Sequence, residues 1–567
     1  MSIWVGLIAL GVGLGTSLFL PVPQTLKTNF DAGQSLYALG EYQGAIEEYS
    51  KIVKFSNAAV RTDSVRVDFG NGLELPVVAA AWYQLGNAYK RSGQHDEAVD
   101  AFHHVTTMES VEESFRSLVQ FQVAETRFLQ KQFPEAAEEY KRYVNLFPDS
   151  ELAGQALFYS GWSEFNDKKY DPAIATLTDM LERYPEDRYA PDSQFRIASS
   201  HYEKENFTKA VSEADIVLER YPNSPVIAQA TYLRAQSYDK MGRDEEAITA
   251  YRNVRDLYDR MFELLRGSFR ERKNVDFENY RQLFETSSLR VAEIYRREGK
   301  FEEAYQELIA AQETAEERFY KAKVQMRLGD NYMEWKRFDD AYTAYNQVID
   351  LYSDTPYPAI AQYNKGEARY FADAFVQARD EYLLVSQNYP DSETGLRANA
   401  IYSAAWSSEK VDDHETALQL YGQVVENFPR SDQAPLCLLR MGRVNTEQQR
   451  FDEAVDAYRQ IAENYGETHH AADANYGLGL LYKQSGQLDD AIEAFSRVQR
   501  SAGEVYVASL VEAANIHIGA GRAGDGREVL DRLLAGVTGD RGLEANAHYQ
   551  IAQLDLNNDN FIDAINR

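Results

Sequence analysis

The residues best suited to chemistry are two adjacent histidine pairs, His103-His104 and His469-His470, a run of oxygen donors at Asp555-x-Asn557-x-Asp559, and one thiol, Cys437. Each fails on spacing or setting. Adjacent histidines on a helix point to different faces, and neither pair belongs to a recognised metal-ligand pattern. The donor run starts like a calcium loop, but Asn560 stands where glycine is needed and Asn566 where a bidentate glutamate should close the cage. Cys437 lies in the apolar run Pro435-Leu436-Cys437-Leu438-Leu439, the setting of a small core residue, and a single cysteine allows no intrachain disulfide. Gly11-x-Gly13 and Gly477-x-Gly479 have part of a phosphate-loop spacing without the strand that should precede it. With no nucleophile elbow, phosphate loop or zinc motif, no catalytic residue, cofactor or metal is expected.

Charge narrows the partners. The chain has 89 Asp and Glu against 59 Lys and Arg, a formal net charge of −30. Such a field repels a phosphate backbone and excludes nucleic acid as a partner class. The excess acid is expected to solvate outward-facing helix surfaces.

What does recur is an alanine. Ala45, Ala98, Ala136, Ala173, Ala210, Ala247, Ala304, Ala341, Ala378, Ala417, Ala454 and Ala491 follow one another at a spacing of mostly 37 residues, and the column runs on through Gly526 to Ala564. A fixed period of about 20 to 50 residues marks a stacked array, in which one unit cannot bury its apolar face alone and its neighbours cover it. Twelve residues earlier stands a second small residue, such as Gly86, Ala124, Gly161, Gly329, Gly366, Ala405 or Gly479. Four residues later comes a bulky one, such as Phe102, Tyr140, Tyr345, Tyr382, Tyr421 or Phe495. Small residues on facing helices let the backbones approach, and the ring fills the space beyond them. Turns such as Phe147-Pro148-Asp149-Ser150 and Tyr389-Pro390-Asp391-Ser392 close the unit: proline stops one helix, and Asp or Ser caps the next. Each unit is therefore expected to be a pair of amphipathic helices. Phe561 and Ala564 fall in register, so the Asn/Asp cluster before them is the turn of the last unit.

The run Trp82, Leu85, Gly86, Tyr89, Ala98 and Phe102 resembles the tetratricopeptide repeat, and Leu478, Gly479, Tyr482, Ala491 and Phe495 match it nearly as fully. The resemblance covers about residues 28–567 in fourteen copies, with a period of 37 where the family's is about 34. It implies an all-α fold, a right-handed superhelical solenoid of about fourteen helix pairs. Longer units with Tyr-Pro-x-Ser ends are similar to those of bacterial envelope proteins of the BamD and Tol-Pal coordination protein type. That implies a non-catalytic scaffold which binds partner proteins or peptides on its concave surface, or else a structural subunit of an envelope assembly or secretion complex.

Two intervals break the period. Between Ala45 and Ala98 the surplus includes Val65-Arg66-Val67-Asp68-Phe69-Gly70-Asn71-Gly72-Leu73-Glu74-Leu75, where alternation around Asn-Gly predicts a small β-hairpin at about 60–76. Between Ala247 and Ala304 the surplus falls in or near the basic stretch Arg260–Lys273, and its apolar spacing predicts a lengthened or extra helix at 260–283. The array is thereby divided into 28–259 and 284–567. The last repeat is incomplete, since the sequence given stops three residues after Ala564; a frayed end over 541–567 or a truncated sequence is expected.

Ahead of the array, residues Ile3 to Leu20 are apolar or small except for Thr16 and Ser17, and the first charge is Lys27. Eighteen such residues make about 27 Å of helix, close to the thickness of a bilayer's hydrocarbon layer. Residues 1–27 are expected to be an uncleaved inner-membrane anchor with the array in the periplasm. A cleaved signal that releases the array to the periplasm, and a cytoplasmic array beneath the anchor, are the alternatives. Oligomeric state is not readable.

Binding is expected on the first helix of each pair, the concave wall in this family. Three residues before the small residue runs an aromatic column, with Tyr83, Phe121, Phe158, Phe195, Tyr232, Tyr363 and Tyr402 among its members. Rings supply large contact area at small entropic cost, which suits recognition of a peptide. Trp162 and Trp406 stand one turn after Phe158 and Tyr402, at a position that elsewhere carries polar residues such as Asn87. Substituting them is expected to weaken partner capture with little loss of stability. Only Asn87 fits the Lys/Asn/Arg set with which related repeats grip a terminal carboxylate, so no such clamp is expected.

Overall fold

The computed structural model describes residues 22–55, 64–70, 72–264, 275–315 and 317–557, with no side chain between 261 and 277. The apolar segment up to residue 21, Asn71, most of the basic stretch, and Asp559, Phe561 and Ala564 lie outside the described residues. Among the described residues, no helix is long and apolar enough to cross a membrane.

The chain forms two compact units, residues 1–291 and 292–567. In the first, α1 (Val22–Ala38) pairs with α2 (Tyr42–Phe55), and strands β1 (Arg66–Asp68) and β2 (Glu74–Pro76) follow. Next come α3 (Val77–Arg91) with α4 (His95–Thr106), α5 (Glu113–Leu129) with α6 (Phe133–Leu146), and α7 (Ala153–Asn166) with α8 (Tyr170–Arg183). Then α9 (Ala190–Glu203) pairs with α10 (Phe207–Arg220), and α11 (Ile227–Lys240) with α12 (Asp244–Leu264). The boundary between the units falls inside α13 (Val275–Arg297).

The second unit opens with α14 (Phe301–Thr314). Its pairs are α15 (Arg318–Glu334) and α16 (Phe338–Leu351), α17 (Pro358–Phe371) and α18 (Phe375–Asn388), and α19 (Thr394–Glu409) and α20 (His414–Asn427). After these come α21 (Gln433–Glu447) and α22 (Phe451–Asn464), α23 (His470–Gln484) and α24 (Leu488–Ser496), α25 (Glu504–Gly519) and α26 (Ala523–Val537), and finally α27 (Arg541–Asn557). The all-α array and, among the described residues, its one small hairpin are as the sequence implied. Two details differ. The first helix begins at Val22, ahead of the expected start at 28, because Leu26 is already fully buried. At the other end, 541–557 does not fray: Ala547, Ile551 and Leu554 of α27 are buried in one cluster with Val507, Leu510 and Leu533.

The alanine column and the ring four residues on explain the packing. A methyl group built on Gly86 would lie 2.5 Å from the Phe102 ring, on Gly329 2.3 Å from Tyr345, and on Gly366 2.4 Å from Tyr382. Where the second helix carries a ring, as in these pairs, it thus lies directly on the backbone of its first helix, with the column alanine fully buried beside it.

The turn inside each pair has one left-handed residue, five before the column alanine. It is glycine at Gly40, Gly93, Gly242, Gly299, Gly486 and Gly521, but Lys131, Lys168, Glu205, Lys336, Asp373, Asp412 and Gln449 hold it at φ near +60° elsewhere. Helix-closing bonds enforce it, as where the Gln132 N–H donates to the Arg127 carbonyl at 3.1 Å.

The hairpin pairs Val67 with Leu75 in antiparallel register, and Asp68 Oδ1 accepts the Gly70 N–H at 2.9 Å inside its turn. Val65, Val67 and Leu75 join the core around α3 and α4. At the other insertion the surplus lengthens the flanking helices, α12 to 21 residues and α13 to 23. Tyr258 stacks on Phe284 there, ring centroids 4.5 Å apart.

Candidate partner-binding face

The aromatic column of the first helices is anchored from below. Tyr83 meets Phe102 at 5.8 Å between centroids, Phe121 meets Tyr140 at 5.4 Å, Tyr232 meets Tyr251 at 5.7 Å, Tyr363 meets Tyr382 at 5.2 Å and Tyr402 meets Tyr421 at 5.8 Å. Each ring therefore leans on the buried ring of its own pair. Phe195 has no such partner, because the position four after its alanine is Ala214, and it packs among Ala198, Ala214 and Leu233.

How much of each ring faces outward varies. Phe121 and Phe158, at 5% and 3% exposure, are closed to a partner; Phe158 lies flat against Tyr189 at 4.8 Å. Tyr83 is half-buried and covered by the hairpin: Phe69 meets it at 5.6 Å, and Phe115 of the next pair at 5.1 Å. Asn87, one turn on, donates to Gln84 at 3.4 Å. Phe195, Tyr232, Tyr363 and Tyr402 are likewise half-buried. Burial, with Glu367 adding to it, pushes the Tyr363 phenol up to about 12, so at neutral pH it is an uncharged hydroxyl within 3.2 Å of Ser403 Oγ.

Trp162 and Trp406 are not free-standing rings, so the expectation of unchanged stability on their removal does not fit their surroundings. Trp162 touches Phe128 at 5.4 Å and Phe158 at 5.6 Å and carries the Arg196 guanidinium 5.0 Å above it. Trp406 Nε1 donates to Tyr370 Oη at 2.6 Å, and its face carries the Arg440 guanidinium at 3.7 Å and the Lys410 ammonium at 5.0 Å. Arg440 is paired with Glu409, whose other carboxylate oxygen accepts from Tyr421 Oη at 3.0 Å. Burial alone would lower Arg440, but the pairing with Glu409 outweighs it and raises its pKa. Each tryptophan is thus clamped between an aromatic of the preceding first helix and an arginine of the following one, a cation–π arrangement.

The clamp partners Phe128, Tyr370, Arg196 and Arg440 escaped the sequence pattern. They share a register that could have found them. In both places the aromatic stands four past the small residue of the preceding unit, Ala124 or Gly366, and the arginine two before that of the following unit, Ala198 or Gly442.

Among the described residues, no group of three or more His, Cys, Asp and Glu side chains could hold a metal ion. His104 instead stacks on Trp82, with centroids 4.0 Å apart. Cys437 is buried, and burial pushes its thiol up, away from the reactive thiolate.

Four family models match the sequence. One described as outer membrane lipoprotein matches residues 151–286, and three described as tetratricopeptide repeat match 439–504, then 79–110 and 322–355, then 118–150 and 399–431. No curated protein matches. Among solved structures, a MamA protein is 16% identical, covers 35% of this chain and 91% of its own, and superposes with a TM-score of 0.27. The C-terminal part of a TPR repeat-containing protein from Cytophaga hutchinsonii is 16% identical, covering 49% of this chain and 98% of its own with a TM-score of 0.36. The repeat models fall on helix pairs that the alanine column had already marked out, and the packing within those pairs follows one scheme. The chain is a tetratricopeptide-repeat protein, with a segment similar to the outer membrane lipoprotein family.

Proposed function

We propose that the array is a non-catalytic scaffold of the bacterial cell envelope, whose first-helix aromatic face binds segments of partner proteins. The carrying observation is the set Phe195, Tyr232, Tyr363, Tyr402, Trp162 and Trp406, rings fixed below by packing and partly open above. A pre-ordered ring loses little freedom on binding, so its contact area goes into affinity. Envelope location rests on the lipoprotein-like segment together with the apolar residues from Ile3 to Leu20, which would hold the chain at the inner membrane with the array periplasmic.

Photo-crosslinking in the intact cell tests the reading. A benzophenone amino acid at Asn364 or Ser403, beside the rings, is expected to trap discrete partners, whereas one at Glu47 on the second-helix surface is not. Equal adducts at both faces, or none at the ring face, would sink it. A phosphatase fused to the C-terminus is expected to be active, and an inactive fusion would place the array in the cytoplasm. The burial of Phe121 and Phe158 favours the second reading, a structural subunit whose rings serve the stack; one stoichiometric adduct in place of several would identify it.

A further inference from the structure

We propose that a cavity at the edge of the α23–α24 pair takes a tyrosine side chain presented by a partner polypeptide. None of the first-helix rings named above lines it, and it does not depend on the reading above.

The turns between pairs carry a second aromatic column, eleven residues after the alanine, with Phe147, Tyr184, Tyr221, Tyr389, Phe428 and Tyr465 among its members. Two of these rings reach back across the stack. Tyr184 Oη donates to the Pro148 carbonyl at 2.8 Å, and Tyr465 Oη donates to the Pro429 carbonyl at 2.7 Å. The next member in register is Ala502, and the next acceptor is the Gly466 carbonyl. The ladder therefore lacks a ring at this rung. Gly466 and Ala502 both line a cavity of about 300 Å³, with Thr468, Ala472, Asn475 and Arg497 around it. That volume is at the lower end for ligand sites and suits a side chain better than a cofactor.

The backbone departs from the repeat in the same place. The helix α24 has nine residues where α16, α18, α20 and α22 have fourteen. The chain then passes through a short turn at Arg500–Ala502 to Gly503, at φ +59°. The floor offers a polar group. Asn475, at the register that carries Leu157 in the unit of Tyr184 but Gln194 and Gln362 in those of Tyr221 and Tyr389, is only 6% exposed. Its amide donates to the Ala471 carbonyl at 2.8 Å, but its buried Oδ1 accepts from no group of the protein. A buried acceptor left in that state destabilises the fold, and a donor brought by a guest would satisfy it.

A flat ring ending in one hydroxyl meets both needs. The ring fills the missing rung, and the hydroxyl donates to Asn475 Oδ1 or to the Gly466 carbonyl, as the resident tyrosines do one and eight turns earlier in the ladder. Phenylalanine would leave the acceptor unmet, and with Glu467 and Arg497 both on the rim the lining carries no one-signed charge to call for a charged tip.

Saturation-transfer NMR on the full chain, with N-acetyltyrosinamide and N-acetylphenylalaninamide as probes, tests this. The tyrosine amide is expected to bind saturably, about tenfold better than the phenylalanine amide for one buried hydrogen bond. Ala502→Tyr restores the rung from within, so it should abolish binding and raise the melting temperature. Ala472→Trp closes the mouth from a half-exposed helix position, so it should abolish binding even if Ala502→Tyr folds poorly. Absence of binding, equal binding of the two amides, or binding that survives Ala472→Trp would overturn the proposal. Self-association of the wild-type chain that Ala472→Trp removes would overturn it in favour of a second copy as the source of the ring.

Discussion

Among single residues, Glu381 shows how the array holds charge inside. Its carboxylate accepts from Tyr342 Oη at 2.7 Å and Gln362 Nε2 at 2.7 Å and pairs with Lys365 at 3.2 Å, while Lys365 itself is only 6% exposed. Burial alone would raise the Glu381 pKa, but the hydrogen bonds from Tyr342 and Gln362 and the charge of Lys365 outweigh it and hold the carboxyl below its ordinary value. A lowered folded pKa means stability that is present above the ordinary carboxylate range and is lost as pH falls through the folded value. Glu381→Ala strands a buried ammonium and is expected to destabilise the fold by about 3 kcal/mol, whereas adding Lys365→Met should recover most of that. Urea melts of the two variants decide the matter: equal loss in the single and the double mutant would show that the pair does not act as a unit. Nothing in the sequence pointed to this cluster. Lys365 and Gln362 occupy first-helix positions where a solvated charge and a polar residue are ordinary, and only the fold brings Tyr342 and Glu381 against them from two different second helices. The same holds for Trp162 and Trp406, whose residue type was informative but whose arginine clamps depended on contact between successive first helices. Removing either ring is expected to cost stability of about 1–3 kcal/mol along with any partner binding, and unchanged melting of Trp406→Ala would return it to a purely surface role.

At the level of the helix pair, the alanine column made nearly all of the fold readable, because a period of 37 residues leaves one way to bury both small faces. The turns were less readable. Six of them advertise their left-handed residue with glycine, but Lys131, Lys336, Asp373 and others adopt the same backbone without it. Closing bonds such as Ala374 N–H to the Arg369 carbonyl at 2.9 Å override the residue's own preference. The strain is measurable. A left-handed L-residue costs about 1–2 kcal/mol, whereas glycine gives back about 0.4–1 kcal/mol by loosening the unfolded chain. Relief of strain outweighs that loosening, so Lys336→Gly is expected to stabilise by about 0.5–1 kcal/mol. Gly242→Ala, the reverse change at φ +68°, should destabilise by about 1 kcal/mol. A destabilised Lys336→Gly in chemical denaturation would mean that the Lys336 side chain makes contacts worth more than the strain.

Across the whole molecule, the tyrosines that lie under many of the small residues turn a packing device into a shared titration. Tyr49, Tyr140, Tyr251, Tyr345, Tyr382 and Tyr421 are nearly inaccessible, and burial pushes every one of their phenols well above the ordinary value of 10. Tyr342 and Tyr363, half-buried, rise to about 12. A raised folded pKa favours the neutral form, so this stability is complete below pH 10 and is withdrawn as pH climbs from 10 toward the folded values. One pH unit above the unfolded pKa removes about 1.4 kcal/mol per ring. Six such rings would together withdraw on the order of 8 kcal/mol by pH 11, comparable with the 5–15 kcal/mol that holds a typical domain together. In an ordinary globular domain such losses would be scattered, but here they recur at the same structural position in three pairs of each compact unit. The interfaces should therefore weaken within one narrow pH interval. Absorbance at 295 nm and helical circular dichroism followed together from pH 9 to 13 should show the exposed tyrosines ionising first with helicity intact, then the buried set appearing in the same step as helix loss. If all the phenols ionised near pH 10 while the helices persisted, the rings would not be the seal between the two helices of each pair, and the alanine column alone would have to account for the stack.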